Sequence, residues 1–266
     1  MIRKTYPSDL NNQEWKRLEP LIPASKRGGH PRTGDMCEIV NGIFYRIRTG
    51  CDWRALPHDL PPWSTVFGYF NQWRKDGTWQ NMNQALRQQV RQAEGRKAEP
   101  TAAVLDSQST KTTEQGGARG FDAGKKVKGR KRHILVDTLG LVLMVVVHAA
   151  NLQDRDGAKL VLSKAKPLFS ALQLIWADGG YAGQLIDWVK LTCAWVLSIV
   201  KRNDDVKGFQ VLPKRWIVER TFAWLGRYRA LSKDYERLPQ TTEALIYAAM
   251  CHLMLRRLSR LASGKT

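Results

Sequence analysis

From Thr101 onward, short apolar runs alternate with amphipathic stretches, and this alternation constrains the fold more than any other feature of the sequence. Apolar runs rich in Val, Ile and Leu are typical of buried strands, whereas the stretches between them have helical spacing. The expected strands are 102–105, 133–136, 141–147, 172–177 and 195–200, and the expected helices are 156–166, 185–191, 215–228 and 242–261. The pattern indicates an α/β domain with a mixed sheet flanked by helices.

Two of these strands are expected to form a hairpin, because the turn sequence Asp137-Thr138-Leu139-Gly140 separates them. With this hairpin the elements follow the order strand, hairpin, helix, strand, helix, strand, helix. The ribonuclease H-like fold has this order, and several unrelated α/β folds share parts of it. The expected fold class is therefore α/β, with a ribonuclease H-like domain as the specific hypothesis.

The residues before about position 95 have a different pattern, which is helical and rich in Trp and Arg. Loops are expected at Lys26-Arg27-Gly28-Gly29 and at Leu60-Pro61-Pro62, and the polar stretch 92–100 is expected to be a linker. A length of 266 residues suits one large domain and a smaller module. We therefore expect a small helical module over 1–95 and the α/β domain over 96–266.

The chain is strongly basic, with 43 Lys and Arg residues against 24 Asp and Glu residues and a net charge of +19. Because 43% of its residues are hydrophobic, it can bury a core and is not a disordered basic tail. Such an excess of like charge favours a polyanionic partner, and nucleic acid is the first candidate. A ribosomal protein or a general nucleic-acid binder would satisfy the same observation.

The four cysteines are scattered, without the paired spacing of a zinc site or a disulfide framework. We expect reduced thiols in a cytosol. The N-terminus lacks the apolar run of a secretory signal, and no apolar stretch approaches the roughly 20 residues of a membrane span. The sequence therefore predicts a soluble, cytoplasmic protein with no membrane partner.

Asp106 and Asp178 each directly follow an expected strand. Open α/β sheets place their sites at this edge, and parallel neighbouring strands would bring the two carboxylates together. Hard cations such as Mg²⁺ prefer carboxylate ligands, and two such ions about 3.5–4 Å apart can promote phosphoryl transfer. The alternative is that each aspartate only forms a turn or caps a helix. Asp154 and Asp156 are expected to cap the next helix, with Asp154 within reach of the same edge.

Glu219 lies in a helical stretch, 216–225, that is apolar on nearly every face. A buried carboxylate is costly unless it is paired or binds a metal ion. Arg215 precedes it by one helical turn, so a purely structural Arg215–Glu219 ion pair is the alternative to a metal ligand.

A helix-turn-helix is expected in the first module, with helices from Asp35 to Arg48 and from Ser64 onward. The polar residues of the second helix are the candidates for contacts with DNA bases or phosphates: Ser64, Thr65, Asn71, Gln72 and Arg74. The alternative is a small helical bundle that makes dimer contacts.

A dense run of positive charge, 124–132, lies between two expected strands and contains two glycines. We interpret it as a flexible loop that clamps DNA phosphates near the metal site, although charge runs are often only solvated. Its candidate contact residues are Lys125, Lys126, Lys128, Arg130, Lys131 and Arg132.

Several motifs occur together over nearly the whole chain. They are Trp53-Arg54-Ala55-Leu56-Pro57, Trp63-Ser64-Thr65-Val66, Asp106-Ser107-Gln108-Ser109-Thr110-Lys111, Gly129-Arg130-Lys131-Arg132-His133, Asn151-Leu152-Gln153-Asp154-Arg155-Asp156, Ala177-Asp178-Gly179-Gly180-Tyr181 and the stretch 215–237. In combination they resemble the bacterial DDE transposases of the insertion-sequence five family.

This resemblance implies that Asp106, Asp178 and Glu219 are the catalytic acids and hold two divalent ions, Mg²⁺ with Mn²⁺ able to substitute. It implies a DNA transposase that binds the terminal inverted repeats of an insertion sequence, hydrolyses DNA at the element ends and joins the 3′-hydroxyl to target DNA. The implied partners are double-stranded DNA and further copies of the chain, as a homodimer or larger assembly, with no small-molecule substrate.

Arg215 matches the family's signature arginine near the third acid, which implies a contact with DNA. The signature tyrosine and lysine of that region fall on Leu212 and Gly226, where this sequence departs from the family. Two other functions stay open. One is a non-catalytic DNA-binding protein on a decayed transposase scaffold, against which the three retained acids argue. The other is a metal nuclease that cuts DNA without joining it.

Overall fold

The computed structural model describes residues 3–25, 32–200 and 214–264. Contacts between Cα atoms divide the chain into two compact units. The first, the helical unit, comprises Met1–Arg96, Arg227–Ser232 and Ala244–Thr266. The second, the sheet unit, comprises Lys97–Gly226 and Lys233–Glu243. The loop expected at 26–29 and the signature position Leu212 lie outside the described residues.

The helices of the helical unit are α1 (Asn12–Leu18), α2 (Met36–Thr49), α3 (Trp63–Lys75), α4 (Thr78–Ala93) and residues 244–262 of α8 (Pro239–Ala262). Asp35 starts α2, because its carboxylate accepts the N–H of Cys37 at 2.8 Å. Gly50, in the left-handed conformation at φ 72°, ends it. The two helices expected for a helix-turn-helix are thus confirmed as helices. No helix in the described part of the chain is both long and apolar enough to cross a membrane.

The last helix belongs to the core of the helical unit. Phe44 stacks on His252 with ring centroids 4.6 Å apart, and Glu94 pairs with Arg257 at 2.9 Å. A single boundary after residue 95 was expected from the sequence, and the structure differs by adding 227–232 and 244–266 to the first unit. Helical periodicity showed that 242–261 forms a helix, but it contains no information on which core that helix joins.

The sheet unit contains a mixed six-stranded sheet. Its elements are β1 (Ala102–Lys111), β2 (Gly120–Asp122), β3 (Val127–Asp137), β4 (Val142–Ala149), α5 (Asp154–Ala165), β5 (Leu174–Asp178), α6 (Gln184–Cys193), β6 (Val196–Val200) and α7 (Arg215–Gly226). The strand order is β2-β3-β1-β5-β6, with β4 also on β3. Strands β1, β5 and β6 run parallel, whereas β2, β3 and β4 form antiparallel pairs. The expected mixed sheet flanked by helices is confirmed, and β2 is an addition to it.

Two strands are longer than the sequence predicted. β1 was expected to end before Asp106, but it continues to Lys111 because it pairs with β3 from Ala103↔Asp137 to Lys111↔Gly129. The polar residues after Asp106 were interpreted as a loop, since strand prediction relies on apolar runs. The interpretation of 124–132 as a flexible loop is correspondingly wrong from Val127 onward, where β3 begins.

The two faces of the sheet carry different helices. Leu105 and Ile175 belong to a core with Val161 of α5 and Val189 of α6. The residues next to them in sequence, including Asp106, project from the opposite face, because side chains alternate along a strand. Helix α7 contacts β1, β3 and β5. The acid on β1 therefore faces away from the core that α5 and α6 cover.

The expected hairpin turn between β3 and β4 is confirmed. The carboxylate of Asp137 accepts the N–H groups of Leu139 and Leu141, each at 2.9 Å. Gly140 adopts φ 81°, and a Cβ atom there would lie 2.9 Å from the hydroxyl of Thr221. A glycine is therefore required both by the turn and by the close approach of α7.

Candidate active site

Asp106 and Asp178 lie beside each other on one face of the sheet. Strands β1 and β5 run parallel and pair through Val104 and Trp176. Each aspartate follows its member of this pair by two residues, so both project from the same face. The four side chains line one pocket together with Arg215. The structure thus brings the two aspartates together, as expected from the sequence.

The carboxyl group of Asp106 is difficult to ionise. Burial raises its pKa to about 6, and the negative charge of Asp178 acts in the same direction. The N–H of Ser107, which donates to Oδ1 of Asp106 at 2.7 Å, opposes this shift, as do the charges of Lys125 and Arg215. Two neighbouring carboxylates, one of them buried, repel each other when both are ionised, so positive charge close to them is favourable.

Arg215 supplies positive charge to the other two acids. Its guanidinium lies 3.6 Å from Oδ2 of Asp178 and 3.3 Å from Oε1 of Glu219. Glu219 is 54% exposed at its side chain, so the expectation that this carboxylate is buried is wrong. The apolar residues of α7 face the sheet, and Glu219 points away from them toward Arg215.

The three acids do not form one ligand cluster in the described ranges, where no group of three His, Cys, Asp or Glu side chains is placed to hold a metal ion. Asp106 and Asp178 share a pocket, and Glu219 is connected to it through Arg215. The Arg215–Glu219 ion pair, which was the alternative interpretation of Glu219, is the geometry observed.

Helix α7 is fixed to the hairpin turn beneath it. The hydroxyl of Thr221 donates to the carbonyl of Gly140 at 2.7 Å, and Arg220 donates to the carbonyl of Leu139 at 2.9 Å. The Arg220 guanidinium also lies over the rings of Trp216 and Trp224, at 4.5 and 4.6 Å. These contacts hold the backbone of α7 against the sheet. Glu219 therefore changes position by rotating its side chain, and not by a movement of the helix.

The donor set fits a hard divalent cation in part. Asp106 and Asp178 offer carboxylate oxygens in one pocket, which are the ligands that Mg²⁺ and Mn²⁺ prefer. The raised pKa of Asp106 indicates that positive charge in this pocket is favourable. Glu219 can contribute a third carboxylate only by leaving Arg215, and its exposure leaves the side chain free to turn.

The basic run is divided between a surface turn and the interior of the sheet unit. Lys125, Lys126 and Lys128 are exposed. The Lys125 amine donates to the carbonyl of Ser107 at 3.0 Å, which is next to Asp106 in the chain. Lys125 does not line the acid pocket, but its charge is close enough to oppose the raised pKa of Asp106.

Arg130, Lys131 and Arg132 are buried in β3. Arg130 pairs with Asp234 at 3.0 Å, and Arg132 donates to the carbonyl of Lys233 at 2.9 Å. The sequence predicted that these three residues clamp DNA phosphates. That prediction is wrong, because cations bound inside the protein are not available to DNA. The three cations are consecutive in the sequence and resemble any exposed basic stretch, so nothing in the sequence indicated their burial.

The candidate DNA-contact residues of α3 differ in their exposure to solvent. Ser64, Thr65 and Gln72 are exposed, whereas Asn71 and Arg74 are half-buried. Arg74 donates to the side-chain oxygen of Asn71 at 2.8 Å. The helix itself starts at Trp63, one residue before the expected start.

Sequence reasoning missed a group of polar residues on the other face of β1. Asp154 was expected to cap α5, but it is the first residue of that helix and accepts the hydroxyl of Ser107 at 2.9 Å. Lys131 pairs with Asp154 at 3.0 Å. Ser107 and Ser109 alternate with Asp106 and Gln108 in the sequence, which is the one signal of a polar strand face that was available.

Two family models match the chain. The model "Transposase DDE domain" matches residues 97–254, and the model "Putative transposase of IS4/5 family" matches residues 10–83. The first match spans more than half of the chain and contains Asp106, Asp178 and Glu219. The chain belongs to the DDE transposase family. This family implies dependence on a divalent metal and DNA as the partner, and its domain is consistent with a ribonuclease H-like fold.

Two relatives come from Burkholderia cepacia. The "Putative transposase for insertion sequence element IS402" is 24% identical over 139 residues, which cover 50% of this chain and 65% of that protein. The "Insertion element IS402 uncharacterized 16.2 kDa protein" is 25% identical over 113 residues, which cover 40% of this chain and 76% of that protein. The chain therefore spans less than two thirds of the first relative's length. No solved structure matches the chain.

Without metal, replacing Asp106 by Asn should stabilise the protein at neutral pH. The carboxyl of Asp106 ionises near its ordinary pKa of 3.8 when unfolded and at about 6 when folded. The folded state therefore binds more protons between these values, and it loses stability as pH rises through this window. Above pH 6 the Asp106→Asn variant should be more stable by on the order of 2 kcal/mol, and the difference should vanish below about pH 4. Urea unfolding over a pH series with a chelator measures it.

The matched control is Asp187→Asn, which removes an exposed carboxylate of α6 in the same unit. It should follow the wild-type pH dependence. Adding Mn²⁺ should then stabilise the wild type but not Asp106→Asn, because only a ligand that binds the folded state raises its stability. Identical pH profiles for the wild type and Asp106→Asn would contradict the description of this carboxyl group.

Proposed function

We propose that this protein is a transposase that cuts DNA at the ends of an insertion sequence and joins the freed 3′-hydroxyl to target DNA. The observation that carries the proposal is the pair Asp106 and Asp178, held in one pocket by parallel strands within a DDE domain. The order and direction of the strands, with β1 between the β3–β4 hairpin and parallel β5, also support a ribonuclease H-like domain.

The acids divide the work of holding two divalent ions, Mg²⁺ or Mn²⁺. Asp106 and Asp178 would hold the ions in their shared pocket, and Glu219 would complete the ligand set once its side chain had left Arg215. When bound, the ions supply Lewis acidity for phosphoryl transfer. Arg215, freed from both carboxylates, is then available to a DNA phosphate, as its place in the family signature implies.

The reaction consists of two substitutions at phosphorus. In the first, water attacks the phosphodiester at the element end, and the bond from phosphorus to the 3′-oxygen breaks, which leaves a 3′-hydroxyl and a 5′-phosphate. In the second, that 3′-hydroxyl attacks a target phosphodiester and displaces the target's 3′-oxygen. Lys125, beside Asp106, holds the scissile phosphate in line with the acids, while Lys126 and Lys128 contact neighbouring phosphates.

Recognition of the terminal inverted repeats falls to the helical unit, with α2 and α3 as a helix-turn-helix. The exposed face of α3 presents Ser64, Thr65 and Gln72, whose side chains are able to reach base edges in a major groove. Two element ends must be joined in one event, so the working form is a homodimer or larger assembly on double-stranded DNA in the cytoplasm.

A second function, DNA binding without catalysis, is favoured by one observation. Arg215 neutralises Asp178 and Glu219, and the described residues contain no three-acid ligand cluster. A decayed enzyme would keep this arrangement permanently. An active enzyme exchanges the guanidinium for metal ions.

Replacing any one of the three acids should abolish cleavage and joining while DNA binding persists. Loss of a metal ligand removes several kcal/mol of charge stabilisation, and each 1.36 kcal/mol is tenfold in rate. Asp106→Asn, Asp178→Asn and Glu219→Gln should therefore each lower strand transfer by at least about 100-fold. The assay uses the full chain, the element's own ends and Mg²⁺ or Mn²⁺.

Asp187→Asn is again the control and should retain full strand transfer. A wild-type protein that binds the ends but neither cuts nor joins would establish the non-catalytic alternative. A wild-type protein that cuts without joining would establish a nuclease.

Removing the exposed polar groups of α3 should weaken binding to the element ends only. Each lost base contact costs about 1–3 kcal/mol of discrimination. Thr65→Ala and Gln72→Ala should lower affinity for the ends and leave affinity for scrambled DNA unchanged. Gln80→Ala, an exposed glutamine on α4, is the matched control. Equal wild-type affinity for both sequences would refute recognition by α3 and leave dimer contacts as its role.

Neutralising Lys125, Lys126 and Lys128 together should flatten the salt dependence of DNA binding. Each phosphate contact contributes roughly 0.9 to the magnitude of the salt slope on duplex DNA. Affinity should fall for all sequences alike, and cleavage at saturating protein should fall further, because the phosphate loses alignment. Removing the same number of charges at Lys159, Lys164 and Lys190 is the control. An unchanged slope with normal cleavage would mean that these three lysines are only solvated.

A further inference from the structure

Among the described residues, the strand that carries Asp106 has no paired strand on one side at that residue. β1 pairs with β5 only from Ala102 to Val104, and beyond Val104 its described partner is β3. A strand supported on one edge needs other contacts to keep a side chain in place. Those contacts come from the face of the sheet opposite the acid pocket.

The N–H, the hydroxyl and the carbonyl of Ser107 each make a hydrogen bond close to Asp106. Its N–H donates to Oδ1 of Asp106 at 2.7 Å, and its hydroxyl donates to Oδ1 of Asp154 at 2.9 Å. Its carbonyl accepts the amine of Lys125 at 3.0 Å. The residue is buried, so no water competes freely for these bonds. The orientation of the Asp106 carboxylate is therefore tied to the position of Asp154 on α5.

Lys131 holds Asp154 and a second carboxylate. Its amine lies 3.0 Å from Asp154 and 3.4 Å from Asp122, and it donates to the carbonyl of Leu152 at 2.9 Å. Asp122 in turn accepts the hydroxyl of Ser109 at 2.5 Å. One buried lysine thus connects both serines of β1 to β2 and α5. We call this set the polar network: Ser107, Ser109, Asp122, Lys131 and Asp154.

A glycine allows α5 to approach closely enough for these bonds. A Cβ atom on Gly157 would lie 2.4 Å from Cε1 of His133 and 2.7 Å from Nε2 of His148. Burial lowers the pKa of His133 to about 3, so its ring is neutral at pH 7. The charge of Asp154 is therefore balanced by the amine of Lys131, and not by His133.

We propose that Ser107 and Asp154 are positioning residues of the metal site, with Lys131 as the buried cation that holds them in place. The inference rests on the proposed function, because it assigns their role to metal binding at Asp106. Residues that orient a metal ligand typically change metal affinity by about 10–100-fold when mutated. This assigns to Lys131 an internal role in place of the phosphate contact expected from the sequence.

The test measures Mn²⁺ binding to the full chain without DNA, by the electron paramagnetic resonance of free Mn²⁺. Ser107→Thr and Ser107→Val form a matched pair of the same shape, of which only Thr keeps the hydroxyl. Ser107→Val and Asp154→Ala should each weaken Mn²⁺ binding about tenfold, whereas Ser107→Thr should retain it. The double variant Ser107→Val/Asp154→Ala should be no weaker than the weaker single variant, because both remove the hydrogen bond between Ser107 and Asp154. Asp187→Asn should bind as the wild type does.

Three results overturn the inference. If Ser107→Val and Asp154→Ala bind Mn²⁺ like the wild type, with or without a loss of thermal stability, the polar network is only structural. If Lys131→Met lowers the salt slope of DNA binding by roughly 0.9, Lys131 contacts a phosphate. If the wild type binds Mn²⁺ no better than Asp106→Asn, the proposed function fails together with the inference. The first two results leave the proposed function intact.

Discussion

Strands β1 and β5 run side by side for only three residue pairs, from Ala102↔Leu174 to Val104↔Trp176. Beyond that point β1 stays with β3, while β5 stays with β6 as far as Asp178↔Val200. The separation of the two strands opens a pocket between them, and the first outward residues past it are both aspartates. Burial and the charge of Asp178 raise the pKa of Asp106, and Arg215 pairs with Asp178, so positive charge is favoured where these two carboxylates lie beside each other.

The distribution of charge differs from what the net charge of +19 suggests. Arg130, Lys131 and Arg132 are buried and hold carboxylates and carbonyl groups inside the sheet unit. A cation inside a protein is costly unless it is paired, and here each has a defined partner. The basic residues therefore fall into two groups, one paired inside the protein and one at its surface. Only the second group is available to a polyanionic partner.

Much of the sheet unit could be predicted from the sequence, because apolar runs and a turn sequence are local signals. The β3–β4 hairpin, the parallel approach of Asp106 and Asp178 and the helices α5 to α7 were of this kind. The polar half of β1 and the start of β3 were missed, since they are strands through pairing with each other and with β2, and not through an apolar pattern. The exposure of Glu219 and the burial of Lys131 depend on which face packs against the sheet, and residue spacing does not specify that.

Part of α8 belongs to the helical unit but follows the sheet unit in the chain. Residues 244–262 of this helix belong to the core of the helical unit, where His252 stacks on Phe44. They are synthesised after the whole sheet unit, although domains usually fold as they emerge from the ribosome. The helical unit therefore completes its core last, through contacts between distant parts of the chain, which form slowly. A copy truncated within the sheet unit would lose the integrity of both units, and its helical part would not persist as a separate folded fragment.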